Sequence, residues 1–369
     1  MNNYQPKVLV AVTSDIVTDQ RAHKICNTLE ELNFEVTLVG RNKKNSLPLP
    51  SRSYITKRWQ LLFNKGPLFY ANYNIRLFFH LIFNNYDVIW SNDLDTLLSC
   101  YLAAKCKGKA LVFDSHEYFT EVPELVTRPK IKCFWKSIEK RILPKLKNVI
   151  TVSEGIAQLY REEYNIDVKV VRNVPYFKEK KLSKVPLKKT IIYQGAINVS
   201  RGIETMVKSM NYIDDATLLI VGNGDVFNEI KQLINQLQLN DRVKMLGEVS
   251  FEELHQYTQQ AILGLSLEED MGLNYRLALP NKLFDYIHAE IPVLVSNLPE
   301  MSQLVKKYQV GEVAESHHPE RIAEQIKSML NNPQLLQFWK NNTKVAKQEL
   351  NWDNEKKVII EMIKNLPTN

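Results

Sequence analysis

Three groups of polar residues in this 369-residue chain have the types and spacing to handle an anionic, hydroxyl-bearing ligand. The first follows the apolar run TIIY (190–193), where Gly195 is followed six residues later by Arg201 and Gly202 at the start of a helical pattern. Free N–H groups and the positive dipole end at a helix start, joined by an arginine, favour an anion. A surface arginine beside an N-terminal glycine would have the same pattern. In the second group, Pro280 and Asn281 open a helix with Lys282 in its first turn, where a cation is unfavourable unless an anion lies near. Asp285, about one turn inside, suits the hydroxyls of a ribose, though a first-turn carboxylate also simply complements the dipole. The third group is Asp114, His116 and Glu117, three polar groups ending the run KALVFDSHE (109–117).

All three groups fall where strands hand over to helices. β-Rich runs at 7–14, 34–40, 86–92, 109–117, 148–154 and 168–175 alternate with helical patterns at 19–33, 96–108, 130–147 and 156–164. Strands of four to seven residues alternating with longer helices indicate βαβ units and a parallel sheet. Residues 41–83 are less regular, with helix expected only from about 69. The charged, aperiodic YFKEKKLSKVPLKK (176–189) reads as a linker. The rhythm then restarts with strands at 190–196, 216–224, 242–250, 261–267, 291–297 and 311–315. Helices are expected at 201–211, 225–237, 251–259, from about 281, at 299–306, as a pair across 318–348, and at 352–365. The reading is an α/β protein with domains 1–178 and 187–350 and a last helix, 351–369, crossing back to the first. In open parallel sheets, ligands bind off the carboxyl ends of the strands, where the three groups lie.

Composition narrows the function. Hydrophobic residues at 44% are enough for two cores, and charged residues at 24% without low-complexity tracts argue against extended disorder. Cys26, Cys100, Cys106 and Cys133 have no paired spacing and read as reduced and buried, which fits a reducing compartment. No apolar run approaches the roughly 18 residues that span a bilayer, so the chain reads as soluble and cytoplasmic. The net charge of +7 is uneven: residues 1–180 carry 27 Lys and Arg against 18 Asp and Glu. Eight of these basic residues lie between Arg128 and Lys147, on a helix with an apolar face. Together with KRWQLLFNKGPLFY (57–70) they suggest peripheral contact with an anionic membrane surface. No nucleic-acid motif accompanies the basic charge.

Other motifs carry less. GNGD (222–225) lacks the third glycine of a dinucleotide fingerprint and reads as a tight strand-to-helix turn. Asp93 and Asp95 precede a helix, where capping is the ordinary role of Asp. No His, Cys or carboxylate cluster has metal-ligand spacing, so no metal and no cofactor are expected.

The order of the pieces DSHE (114–117), ITVSEGI (150–156), VVRNVP (170–175), YQGAINVSRGIETMV (193–207), LLIVGNGD (218–225), VKMLGEVSFEEL (243–254) and ALPNKLFDYIHAEIPVLVS (278–296) resembles family 4 of the retaining glycosyltransferases over nearly the whole chain. The resemblance implies a GT-B fold, two Rossmann-like doubly wound domains with parallel sheets facing an interdomain cleft. It implies hexosyl transfer from a nucleotide-diphosphate sugar to an acceptor hydroxyl on a glycan or lipid-linked saccharide. Arg201 and Lys282 would then meet the diphosphate, with Gly195 and Gly202 shaping that loop and Asn281 opening the neighbouring helix. Asp285 would hold the donor ribose, Gly247 and Val249 would frame the base, and His116 would face the transferred sugar beside Asp114 and Glu117. The chain departs from the family pattern at Ala196, where an arginine is common, at Leu277, where the first Glu of the Glu-x7-Glu motif falls, and at Glu290, where a glycine usually ends the helix. Glu268, Glu269 and Asn274 are the candidates to take over sugar recognition. A nucleotide-sugar epimerase of the same fold and a non-catalytic nucleotide-sugar binder are the alternatives.

Overall fold

Runs such as VLVAV (8–12) and TLLIV (217–221) are apolar on both faces, which suits only strands covered by helices on both sides. The computed structural model describes residues 4–44, 46–179 and 189–366. The chain divides into two compact units, Met1–Asn173 with Glu355–Asn369, and Val174–Asn354.

In the first unit, β1 (Lys7–Asp15), β2 (Glu35–Arg41), β3 (Ile55–Trp59), β4 (Val88–Asn92), β5 (Ala110–Ser115), β6 (Val149–Thr151) and β7 (Lys169–Val170) form one parallel sheet in the order β3-β2-β1-β4-β5-β6-β7. In the second, β8 (Lys189–Gln194), β9 (Ala216–Val221), β10 (Val243–Gly247), β11 (Leu263–Ser266), β12 (Val293–Val295) and β13 (Gly311–Val313) repeat the pattern as β10-β9-β8-β11-β12-β13. Both orders reverse direction beside the unit's first strand, between β1 and β4 and between β8 and β11. That reversal is the switch point at which a doubly wound sheet opens a crevice off its strand ends. Each unit is therefore Rossmann-like, as expected.

The elements differ from the sequence reading in instructive places. Residues 41–83 hold β3 and an 18-residue helix, Gly66–Phe83, which starts three residues earlier than anticipated because Pro67 occupies its first turn. The ladder of β7 is only two residues long: the Arg172 N–H donates to Glu355 Oε2 at 2.7 Å, so it is lost to the sheet. That contact, with the Arg172–Glu355 ion pair at 2.9 Å and Lys356–Glu31 at 2.8 Å, ties the last helix, Trp352–Lys364, into the first unit. Part of the expected linker, 180–188, lies outside the described residues. Of the cysteines, only Cys26 and Cys100 are buried. Cys106 and Cys133 are exposed, because they fall on the solvent faces of helices Leu94–Lys107 and Pro129–Ile142.

Candidate functional site

In the second unit the site is assembled around the end of β8. Gly202 has φ +71°, and a Cβ there would overlap the Leu267 carbonyl, so glycine is required. This close approach brings the β8 loop against the end of β11, an arrangement sealed by the Glu269 N–H donating to the Ser200 carbonyl at 2.9 Å. Arg201 is held there with its guanidinium 5.2 Å from the Tyr275 ring centroid. Its Nε is buried and has no hydrogen-bond partner among the described residues. The helix that follows is shorter than anticipated: Ile203–Ser209 has seven residues, and Arg201 lies ahead of it. The arginine, rather than a long helix dipole, thus dominates the local charge.

Lys282 stands in the first turn of helix Asn281–His288, as expected, and is buried. The anion that its position demands is Glu268, whose Oε1 lies 2.8 Å from Lys282 Nζ. The other carboxylate oxygen accepts from the Ser266 hydroxyl at 2.7 Å. Burial alone would push the Glu268 carboxyl up, but Lys282, with a smaller contribution from Arg201, holds it below the ordinary carboxylate range. Lys282 Nζ also sits 4.1 Å from the Tyr193 ring centroid. Next to it, Gly195 has φ +128° and is exposed, so a ligand can approach the backbone closely beside the ammonium. Ala196 follows, its carbonyl accepting from Tyr193 at 2.7 Å. Asp285 is oriented by a relay: the Thr258 hydroxyl donates to Gln194 Oε1 at 2.6 Å, and Gln194 Nε2 donates to Asp285 Oδ2 at 2.9 Å.

The remaining second-unit candidates surround this group less directly. Gly247, at φ +72° with open space where a Cβ would be, accepts from the Gly222 N–H at 2.8 Å. Val249 is half-buried just before Ser250, which caps helix Phe251–Gln260 reciprocally with Glu253. Asn274 is buried in the short helix Leu273–Arg276, with Leu277 at its end, and Asn281 is exposed at the first position of its helix. Glu290 has φ +59°, the left-handed conformation that explains the glycine usual there, and its carboxylate pairs with Lys347.

In the first unit, the polar groups at the ends of β4 and β5 converge on His116. Its Nδ1 lies 3.5 Å from Asp93 Oδ2, its Nε2 3.5 Å from Asp114 Oδ2 and 3.0 Å from Asn92 Oδ1. The His116 N–H donates to Asp93 Oδ1 at 2.8 Å. The capping reading of Asp93 is therefore corrected: it stands at the N-cap position of helix Leu94–Lys107, but its carboxylate serves His116 instead of the helix. Reaching back this way requires φ +56°, uncommon for a residue with a side chain. Asp95 likewise accepts from the Thr13 hydroxyl. Asp114 is fully buried and bound by Arg21, with Nη2 at 2.7 Å and Nε at 3.1 Å, while Arg21 Nη1 donates to the Val171 carbonyl at 2.8 Å. Glu117 is half-buried, and its carbonyl accepts from Ser115.

The charges sort themselves accordingly. Burial opposes the cationic ring of His116, yet Asp93 and then Asp114 outweigh it and raise its pKa to about 9. Burial also opposes ionisation of Asp114, but Arg21 and His116 bring it down to about 2. Asp95, buried and facing the Asp93 charge, is raised to about 7. At neutral pH His116 is thus an imidazolium, a donor of hydrogen bonds with no lone pair to take a proton.

Sequence reasoning had not singled out Arg21, Asn92, Gln194 or Thr258. Arg21 carried a signal: it lies on the same buried helix face as Ala22, Ile25, Cys26 and Leu29, where a charge needs a buried partner. Among the described residues no group of three or more His, Cys, Asp or Glu is arranged to hold a metal ion.

Residues 19–175 match the family described as glycosyltransferase family 4, and residues 176–346 match glycosyl transferases group 1. The O-antigen chain mannosyltransferase RfbU of Salmonella typhimurium is 25% identical over 181 residues, 47% of this chain and 49% of that protein. The chain thus spans about half the length of the curated relatives it matches. Among solved structures, sucrose-phosphate synthase from Thermosynechococcus elongatus superposes with a TM-score of 0.80 at 18% identity, covering 98% of each chain. Anabaena HepE in complex with UDP and glucose gives 0.75 at 14% identity, covering 98% of this chain and 100% of that one. With two doubly wound parallel units of the GT-B fold, and with both family regions matched in order, this chain belongs to the family 4 glycosyltransferases.

Proposed function

We propose that the protein transfers a hexosyl unit from a nucleotide-diphosphate sugar to an acceptor hydroxyl on a glycan or lipid-linked saccharide, with retention of configuration. The observation that carries this reading is that two cations, Lys282 and Arg201, lie close enough to buried Glu268 to lower its pKa, with Lys282 beside the exposed Gly195 at the β8/β11 switch point. A departing diphosphate gains negative charge, and preorganised cations that meet it lower the barrier without reorganising. Arg201 supplies one positive charge at the end of β8. Lys282, already aimed by Glu268 and Ser266, supplies a second charge that an incoming phosphate shares. On this reading the two cations fill the role that a metal ion would otherwise take.

Asp285, fixed through Gln194 and Thr258, is suited to accept from the donor ribose. Gly247 and Val249 present backbone groups for the base, and Glu269 and Asn274 remain the candidates for sugar hydroxyls. Glu268, with both oxygens engaged, acts through Lys282. His116, held as a cation, donates to the sugar or to the developing charge and leaves removal of the acceptor proton to the departing phosphate. HepE was solved with UDP and glucose, which supports a nucleotide-sugar donor. Replacing Arg201 or Asp285 by Ala should abolish donor turnover in a folded protein, and unchanged turnover would overturn the assignment.

A further inference from the structure

Helix Gly66–Phe83 is amphipathic in the wrong sense for a protein surrounded by water. Its inner face, Phe69, Tyr73, Leu77 and Leu81, is buried, and the last three pack into the first unit's core, as a covering helix must. Its outer face is apolar too: Leu68, Ile75, Phe79 and Phe83 are 59%, 59%, 51% and 78% exposed. Their spacing of seven, four and four residues keeps them in one line along the helix. The Phe79 and Phe83 rings stack on each other, 6.0 Å apart and 11° from parallel, and Phe79 also meets the edge of Phe78 at 5.6 Å, so these ring contacts stay within the helix. Just before the helix, Leu62 and Phe63 are 83% and 44% exposed. Single exposed hydrophobics are ordinary, but six large ones in one segment are not.

The charge of the segment decides what covers it. From Val36 to Tyr86 the sequence has eight Lys and Arg and no Asp or Glu. Helix Pro129–Ile142, which meets this helix through the Tyr70–Trp135 ring contact at 5.1 Å, adds exposed Lys130, Lys140 and Arg141 beside Phe134, itself 58% exposed. A second copy of the same surface would bring like charges together. An apolar stripe with a basic rim complements anionic headgroups over acyl chains. No described helix is long and apolar enough to cross a membrane, so the element lies along the surface.

We infer that helix Gly66–Phe83, with the preceding Leu62–Phe63 segment, docks the first unit on an anionic lipid surface, the Ile75–Phe79–Phe83 stripe entering the headgroup layer and the lysines and arginines holding the phosphates. The basic helix that first suggested membrane contact then serves as the rim and not as the inserted element. This inference does not depend on the donor chemistry and is read out separately from it.

The test is sedimentation of the full-length protein with phosphatidylglycerol-containing and pure phosphatidylcholine vesicles. It compares the unaltered chain with Phe79→Ser/Phe83→Ser, whose exposed positions leave the melting temperature intact. The unaltered chain binds the anionic vesicles at low salt and releases as salt rises, because the Debye length shortens to roughly 10 Å at 0.1 M. The double variant binds them at least about tenfold more weakly while soluble-acceptor turnover is unchanged. Absence of binding at low salt, equal binding by the variant, or a concentration-dependent dimer that the two substitutions dissolve would each overturn it.

Discussion

Replacing Asp93 with Asn should return His116 to the ordinary histidine range. The Asp93 carboxylate lies 3.5 Å from the ring, which at an effective dielectric of about 20 is worth roughly 4–5 kcal/mol. That equals about three pKa units at 1.36 kcal/mol each, enough to overcome burial and account for a value of about 9. Asp114 also faces the ring, but its charge is largely committed to Arg21, and Arg21 itself opposes protonation of His116. The variant is therefore expected to lose at least about two units of His116 pKa. Because the folded pKa is raised above the unfolded one, the stability that His116 contributes is complete below about 6.5 and disappears as pH rises through about 9. Asp93→Asn should flatten that part of the stability–pH curve. The titration is read by NMR of the imidazole C–H signals, His116 being the signal missing in His116→Gln. Transfer at pH 7.5 should fall roughly tenfold to a hundredfold, since the ring is then mostly neutral. A His116 pKa within half a unit of the unaltered protein's would refute the electrostatic account.

Other substitutions probe the second unit. Gly202→Ala forces a left-handed alanine into the Leu267 carbonyl and should lower stability by about 2–4 kcal/mol in urea unfolding, with loss of donor binding. Glu290→Gly relieves a left-handed glutamate but leaves Lys347 buried without its partner. A net loss of about 2–4 kcal/mol is expected, with recovery on adding Lys347→Met. Glu268→Gln removes the counter-charge of buried Lys282. It should lower the melting temperature while enlarging the increase that a nucleoside diphosphate produces, because the phosphate then replaces a missing partner.

Much of the fold was legible because its central strands, such as β1, β2, β4 and β11, are buried along most of their length and read as largely apolar runs between turn residues. β3 was missed because Ile55–Trp59 is an edge strand, where Thr56, Lys57 and Arg58 disrupt any apolar run. Helix Gly66–Phe83 was only partly seen because apolar residues on both faces erase the period that distinguishes a buried side. The reason for its sequence is thus the same feature that obscured it.

At the site, Arg201, Lys282, Asp285 and His116 could be picked out as polar groups at strand ends, and Lys282 even announced that it needed an anion. Its partner could not be deduced: Glu268 is 14 residues away just past the end of β11, and Asp114 meets Arg21 across 93 residues. Asp93 looked like an ordinary cap because its position is one, and only its φ reveals that the carboxylate has been turned elsewhere.

Donor use by the purified protein is the most direct test. The purified protein is incubated with UDP-, GDP-, ADP- and CMP-sugars, and melting temperature, nucleotide release and sugar products are followed together, beside Arg201→Ala. One nucleotide-diphosphate sugar should raise the melting temperature and release its nucleotide as the sugar appears on an acceptor or on water, with both effects lost in the variant. Conversion of the donor to an isomeric nucleotide-sugar without release, or binding and release unchanged in Arg201→Ala, would contradict it.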